Sequence, residues 1–168
     1  MQNLKKILTG CAVALFLPVI GGAEPLAKTG TYSGKFLWSE HDSIIEIEKD
    51  HMYLVGVQQG VFLNDAGSGF LHRAVGVCSV QGMIEKDKFT FSGYCHATDK
   101  DGDKAILQWA CPPPQSGDRC VGTFDWIGGT GKYAGIQGRS QFDGVNIGKG
   151  PLGDDVGDSN WKGEWKLP

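Results

Sequence analysis

Hydrophobic and polar residues alternate with a period of two along most of the chain after residue 24. The clearest example is the C-terminal end, where Trp161, Gly163, Trp165 and Leu167 alternate with two lysines and a glutamate. Such alternation is typical of a β-strand with one face in a hydrophobic core and the other in water. No stretch has a sustained apolar period of 3.6 residues with capping signals, so the sequence predicts an all-β protein with little helix.

A second strand of this kind is predicted shortly after residue 30, where Tyr32, Gly34, Phe36 and Trp38 alternate with more polar positions. We expect this strand and the C-terminal strand to be neighbours that close the sheet on itself. Further strands are predicted between them at residues 43–49, 51–63, 70–84, 88–98, 104–111, 120–127 and 138–147. Closure into a barrel removes the exposed edges of an antiparallel set. The sequence therefore predicts one closed antiparallel β-barrel of about eight strands.

One long segment lacks the alternation. Residues 148–160, GKGPLGDDVGDSN, are rich in glycine and aspartate and have no apolar face. This composition favours a loop over a strand. We therefore predict a long mobile loop before the last strand.

Four cysteines lie beyond residue 23, namely Cys78, Cys95, Cys111 and Cys120. A two-residue turn at 86–87 places Cys78 opposite Cys95, and the same register gathers the apolar side chains of both strands on one face. Cys111 is then left to pair with Cys120. The chain has no CxxC spacing that would lower a thiol pKa, so we predict two structural disulfides, each worth about 2–4 kcal/mol.

The first 23 residues have the organisation of a secretory signal peptide. Lys5 and Lys6 precede an apolar run at 11–20, and small residues follow at 21–23. The run is too short to span a membrane. We predict removal of residues 1–23 and a single barrel domain at 24–168 that is periplasmic or secreted, which agrees with an even number of cysteines.

Composition narrows the classes of partner. Glycine accounts for 26 of 168 residues, which argues against a helical bundle. The formal net charge is −3 and no basic run occurs, so nucleic acid is not predicted as a partner.

The segment from Gly122 to Gly138, GTFDWIGGTGKYAGIQG, resembles the strand, glycine turn and strand of the allene-oxide-cyclase barrel-like and dirigent-like proteins. The residues that match their GGTGxF/YxGxxG pattern are Gly128, Gly129, Thr130, Gly131, Tyr133, Gly135 and Gly138. The resemblance implies an eight-stranded barrel with an apolar lumen. That fold hosts an isomerase of fatty-acid epoxides and also binding or stereo-directing proteins without chemistry of their own, and fold alone does not decide between them.

The chain is also similar to exported bacterial proteins of unassigned function. The similarity rests on TGTYSGKF at 29–36, GYCHATDKDGDKA at 93–105 and the terminal WKGEWKLP. The cyclase's catalytic residues cannot be placed on this sequence one by one.

Candidate metal ligands have simpler explanations. The carboxylates of 99–103, DKDGD, crowd around a glycine as in a calcium loop, but no glutamate follows where the last ligand belongs, and Asp-Gly favours a hairpin turn. The histidines His41, His51, His72 and His96 have no zinc-site spacing. We predict no metal and no cofactor.

Aromatic residues on the alternating apolar faces are the main functional lead. They either fill the barrel as core or leave a cavity for a flat or aliphatic ligand. The candidate ligand-binding residues are Phe36, Trp38, Phe91, Phe124, Trp126 and Tyr133.

Three functions fit these patterns. The first is binding of a small apolar or aromatic molecule in the lumen without catalysis. The second is an isomerase or cyclase, for which Glu48, Asp125 and Tyr94 are the candidate acid–base groups. The third is a structural protein that forms a homo-oligomer through its outer faces. An open apolar lumen favours binding, an open lumen with one shielded acid favours an enzyme, and a filled lumen favours a structural role.

Overall fold

A computed structural model describes residues 26–112 and 115–168; the predicted signal peptide at 1–23 lies outside them. Within these residues, one short 3-10 helix, Gly131–Tyr133, precedes the last two strands. The strands are β1 Thr29–Glu48, β2 His51–Asn64, β3 Ala74–Glu85, β4 Lys88–Thr98, β5 Lys104–Ala110, β6 Gln115–Ser116, β7 Arg119–Gly129, β8 Gly138–Lys149 and β9 Asp155–Lys166.

Eight of these strands form a closed antiparallel barrel. Each pairs with the next long strand in the chain, and β1 pairs with β9 to complete the circle. The two-residue strand β6 pairs with the first two residues of β4, Lys88 and Phe89. The predicted fold class is confirmed, including the pairing of the two terminal strands.

The prediction of two separate strands at the start of the chain is wrong. β1 runs without interruption for 20 residues, from Thr29 to Glu48. Residues 39–42, which break the apolar alternation in the sequence, pair with β2 over their whole length. Backbone hydrogen bonds to the neighbouring strand therefore outweigh the local change to polar side chains.

The predicted mobile loop at 148–160 is also wrong over most of its length. β8 continues to Lys149 and β9 begins at Asp155, so only a short turn separates them. The alternation was hidden because Gly157 and Ser159 are the inward residues here, and both are small. Gly157 lies opposite Trp38 and leaves room for its ring, since a Cβ at this position would collide with the indole.

The predicted strand at 70–84 begins only at Ala74. Leu71 and Arg73 have φ values of 53° and 61°, which are left-handed conformations incompatible with a regular strand. The apolar side chains of Phe70 and Leu71 belong instead to a connection that folds into one end of the barrel, where both are buried.

Both disulfide predictions are confirmed. Cys78 is the cross-strand partner of Cys95, with 4.0 Å between their Cα atoms, and the β3–β4 turn has the predicted register. Cys111 bonds Cys120, with 5.9 Å between their Cα atoms. Two disulfides suit a protein of an oxidising compartment.

The two ends of the barrel differ. One end, hereafter the closed end, is filled by Phe70, Leu71, Tyr133 and Ile136 from the connections β2–β3 and β7–β8, all nearly fully buried. Phe70 stacks on Trp165 with ring centroids 4.3 Å apart. At the opposite end, hereafter the open end, the described residues leave a cavity.

Candidate ligand-binding site

A cavity of about 280 Å³ occupies the open half of the barrel. Its walls are mainly aromatic, and the aromatic lining residues are Phe36, Trp38, Phe89, Phe91, Trp109, Phe124, Phe142 and Trp161. The Cys78–Cys95 bridge forms part of the same wall. The volume is close to the lower end of the range of about 300–1,000 Å³ that is usual for small-molecule sites, so the lumen is neither filled nor a wide channel.

Four of the six predicted ligand-binding residues meet in this cavity, namely Phe36, Trp38, Phe91 and Phe124. The other two, Trp126 and Tyr133, are buried at the closed end and are not in the cavity wall. Ligand contact remains a prediction for all six residues. The positions of Trp126 and Tyr133 outside the cavity wall give no support to a ligand-binding role for these two.

The floor of the cavity is a packed aromatic cluster. Trp161 lies between Phe36 and Phe124, with ring centroids 5.1 and 4.9 Å away, and stacks on Phe62 at 5.3 Å. Gly76 makes this packing feasible because a Cβ there would be 2.6 Å from Cε2 of Phe36. The floor therefore separates the cavity from the filled closed end.

One wall is held by a polar contact. Trp38 is half-buried, and its indole Nε1 donates a hydrogen bond to Oγ of Ser159 at 3.2 Å. Because Ser159 is on β9 and Trp38 on β1, the contact crosses the seam that closes the barrel. The indole is thereby fixed with its ring in the cavity wall.

The sequence analysis missed the main polar group of the site. Glu40 follows Tyr32, Phe36 and Trp38 in the inward-facing row of β1, and only 8% of its surface is exposed. The signal was present, since the period of two simply continues past Trp38 to positions 40 and 42. It was overlooked because the strand was predicted to end at Trp38.

The carboxyl group of Glu40 has one hydrogen bond in the described part of the chain. Gln58, its cross-strand partner on β2, donates from Nε2 to Oε2 at 2.7 Å. Burial raises the pKa of Glu40, the hydrogen bond from Gln58 opposes this rise, and the nearby carboxylates of Asp42 and Asp155 add to it. The cavity thus holds one shielded acid.

The rim of the cavity is also acidic. Asp42, Asp118 and Asp155 line the open end, together with the neutral side chain of Asn146. One basic group contacts this rim: Nζ of Lys149 is 2.8 Å from Oδ2 of Asp155, and the lysine side chain is largely exposed. Negative charge therefore predominates where a ligand would enter.

The residues predicted as candidate acid–base groups lie elsewhere. Tyr94 is 52% exposed on the outside of the barrel, and the side chain of Asp125 faces water near Arg139. Glu48 is exposed beyond the barrel wall, where its Oε1 contacts Nδ1 of His51 at 2.8 Å. None of the three lines the cavity.

The acidic segment 99–103 joins the closed end to the glycine-rich turn. Nζ of Lys132 lies 2.6 Å from a carboxylate oxygen of Asp99 and 2.6 Å from one of Asp101. The hydroxyl of Tyr133 donates to Oδ2 of Asp99 at 3.1 Å, and the backbone N–H of Lys132 donates to Oδ2 of Asp103 at 3.1 Å. These carboxylates therefore bind the turn that carries Tyr133.

The described residues contain neither a cluster of metal ligands nor a helix that could span a membrane. No group of three or more histidine, cysteine, aspartate or glutamate side chains in residues 26–112 and 115–168 is arranged to hold a metal ion. Over the same residues, no helix is long and apolar enough to cross a membrane.

Comparisons with known proteins assign the chain to no family. Neither a family model nor a curated protein sequence matches the chain. Among solved structures, the barrel is similar to that of a pterocarpan synthase dirigent protein, with a TM-score of 0.46 and 11% sequence identity over 84% of this chain and 88% of that one. At this level of identity the similarity concerns the barrel alone.

Proposed function

We propose that this protein is an exported binding protein that holds a small, largely apolar or aromatic molecule in the open half of its barrel. The observation that carries the proposal is the aromatic-lined cavity of about 280 Å³ beside a fully packed closed end. Burial of apolar ligand surface against such walls is favourable by roughly 25 cal/mol per Å². The two disulfides and the signal-like N-terminus support a periplasmic or secreted location.

The test is binding of a neutral aromatic probe, 4-butylbenzyl alcohol, measured by isothermal titration calorimetry. Val80 lines the cavity and is buried, so Val80→Phe should fill part of the space and weaken binding at least tenfold. Val121 is 43% exposed and is not in the wall, so the matched variant Val121→Phe should bind as the wild type does. Equal binding by both variants would place the probe outside the cavity and contradict the proposal.

A second function, an isomerase or cyclase, is favoured by Glu40, because a shielded carboxyl of raised pKa in an apolar cavity is suited to proton transfer. Binding stays the first proposal because the other ionisable groups of the lining, among the described residues, are three aspartates at the rim and not a second group beside the aromatic floor, and its cysteines are bonded. Product analysis after incubation with a fatty-acid epoxide tests the enzyme. Turnover by the wild type that is lost in Glu40→Gln would establish it, and no turnover by either would reject it for this substrate class.

The third function, a homo-oligomer, rests on apolar side chains such as Val57 and Val75 that are 44% and 53% exposed on the outer face of β2 and β3. Sedimentation velocity measures the oligomeric state directly. A monomer at all accessible concentrations would reject this alternative.

A further inference from the structure

The ionisable side chains of the cavity are all of one sign. Glu40, Asp42, Asp118 and Asp155 are in the lining, and no lysine, arginine or histidine is in it among residues 26–112 and 115–168. Lys149 forms an ion pair with Asp155 from outside the lining and acts on Glu40 and Asp42 only at longer range. Among the described residues, no ion pair joins Glu40, Asp42 or Asp118 to a cation. A low-dielectric cleft with charge of one sign attracts ligands of the opposite charge.

Glu40 is the most buried of these groups, and no cation is paired with it among the described residues. In the strand register it lies between Gln58 on β2 and Asp155 on β9, so one cross-strand neighbour is neutral and the other is acidic. Its Oε2 accepts from Gln58, while Oε1 has no hydrogen-bond partner within the described residues. A buried carboxylate with a single neutral partner is costly, and a cation placed beside it would offset that cost.

The aromatic walls add a second preference for positive charge. Trp38, Trp109 and Trp161 line the same cavity as Glu40. The faces of tryptophan rings attract ammonium groups within about 6 Å, most strongly where water is excluded. The same rings also bury apolar surface. The walls are thus complementary to a molecule with a positive head and an apolar body.

We propose that the ligand is an organic amine in its cationic form, with its ammonium group at the Glu40 carboxylate and its apolar or aromatic body on the floor formed by Phe36, Phe124 and Trp161. This inference rests on the proposed binding function and specifies its ligand class. It also excludes fatty acids as good ligands, because their carboxylates would be repelled by the acidic rim.

The burial of Glu40 and its acidic neighbours are consistent with this assignment. The groups that face its carboxyl are Asp42 on the same strand, Gln58 on β2 and Asp155 on β9, with Lys149 on β8 further out. Burial and the negative charges of Asp42 and Asp155 favour the protonated form of the Glu40 carboxyl group when no ligand is bound. A bound ammonium favours the ionised form instead, so binding should release a proton wherever Glu40 was protonated beforehand.

The experiment compares three probes of the same shape, namely 4-butylbenzylamine, 4-butylbenzyl alcohol and 4-butylbenzoic acid, by calorimetry and tryptophan fluorescence at neutral pH and low salt. The wild type should bind the amine at least tenfold more tightly than the alcohol, and the acid most weakly. Glu40→Gln should bind the amine and the alcohol within about threefold of each other. Glu164→Gln makes the same charge change on the exposed outer face of β9 and should behave as the wild type does.

The outcomes separate this inference from the function on which it rests. If the alcohol binds as tightly as the amine to the wild type, the cation assignment is wrong and the binding function stands. If the acid binds most tightly, the assignment is again wrong. If none of the three probes binds, both the inference and the binding function fail. The wild-type comparison does not depend on whether the Glu40 variant folds.

Discussion

Glu40 and Gln58 are directly opposed on β1 and β2, and Gln58 Nε2 donates to Glu40 Oε2 at 2.7 Å inside an aromatic cavity. Among the described lining residues, Glu40 is the one deeply buried acid, and its partner is a neutral donor that cannot cancel its charge. The contact therefore orients the carboxyl group without cancelling its charge, as the proposed amine site requires.

The first prediction concerns the pH dependence of stability. The pKa of Glu40 is raised in the folded barrel above its ordinary value of 4.5, so the folded state binds this proton more tightly than the unfolded state does. The contribution of Glu40 to the free energy of unfolding is then fully present below pH 4.5. It is lost as the pH rises through the raised pKa of the folded state.

Urea unfolding across this range measures the effect. Glu40→Gln cannot ionise, so it should lack this decline and gain stability relative to the wild type as the pH increases. Glu164→Gln, exposed on the outer face, should follow the wild-type curve. Parallel curves for all three proteins would show that the Glu40 proton is not linked to folding.

The second prediction concerns the disulfides. Cys78→Ala combined with Cys95→Ala opens a loop between residues 17 apart in sequence, and Cys111→Ala combined with Cys120→Ala opens one between residues 9 apart. Chain-entropy arguments give a loss of about 3 kcal/mol for each bridge, slightly more for the longer loop. Denaturant unfolding measures the loss, and peptide mapping of the wild type should find only the 78–95 and 111–120 bonds. A 78–111 or 95–120 bond would be incompatible with the strand register.

The third prediction concerns Gly157. A Cβ at this position would collide with the ring of Trp38 and with the backbone carbonyl of Val145, so Gly157→Ala should destabilise the protein by about 1–3 kcal/mol and shift the Trp38 fluorescence. Gly150→Ala is the control, because its Cβ would come no closer than 3.1 Å to Cγ1 of Val156 and would not contact Trp38. Equal losses in the two variants would mean that the Trp38–Gly157 packing is not the reason.

The fourth prediction concerns the closed end. Burial alone would raise the pKa of Asp99, but hydrogen bonds from Lys132, the backbone of Asp101 and Tyr133 hold it below its ordinary value. Hydrogen bonds from Lys100 and Lys132 lower the pKa of Asp101 to about 2. The stability that these carboxylates contribute is present above their ordinary values and is lost as the pH falls through the lowered ones.

Lys132→Met removes the shared ammonium group. The variant should have a lower Tm at neutral pH, and its Tm should fall less steeply than that of the wild type between pH 4 and pH 2. Thermal unfolding followed by circular dichroism measures both. Tyr133→Phe is the companion variant and should cost about 1 kcal/mol, the usual value of one hydrogen bond. If the Tm of Lys132→Met fell between pH 4 and pH 2 as steeply as that of the wild type, the ion pairs of Lys132 with Asp99 and Asp101 would not be the cause of the acid sensitivity.

The barrel could be predicted from the sequence because its alternation is regular on both sides of most turns. The 86–87 turn fixed the register of β3 and β4, and with it the pairing of Cys78 and Cys95. The prediction of strand boundaries failed where a residue that faces the barrel interior is polar or small. Glu40 hid the continuity of β1, and Gly157 with Ser159 hid the first half of β9.

The sequence predicted that aromatic residues face the barrel interior, but not which of them line the cavity. Aromatic residues at inward positions look alike in a sequence whether they line a space or fill one. Trp126 and Tyr133 are in the filled half because Phe70, from a connection with left-handed residues, folds in beside them, with ring centroids 5.7 and 6.0 Å away. The contacts of Phe70 with Trp126 and Tyr133 join residues that are far apart in the chain, so no local sequence pattern predicts them.

The five tryptophan indoles give the most direct test of the central claim, because Trp38, Trp109 and Trp161 line the cavity while Trp126 and Trp165 are packed at the closed end. The measurement is a two-dimensional NMR spectrum of the ¹⁵N-labelled indole N–H groups during titration with 4-butylbenzylamine. We predict saturable shifts of the three cavity indoles and almost none for the other two. Shifts confined to Trp126 and Trp165, or no shift in any of the five, would contradict a ligand site in the open half of the barrel.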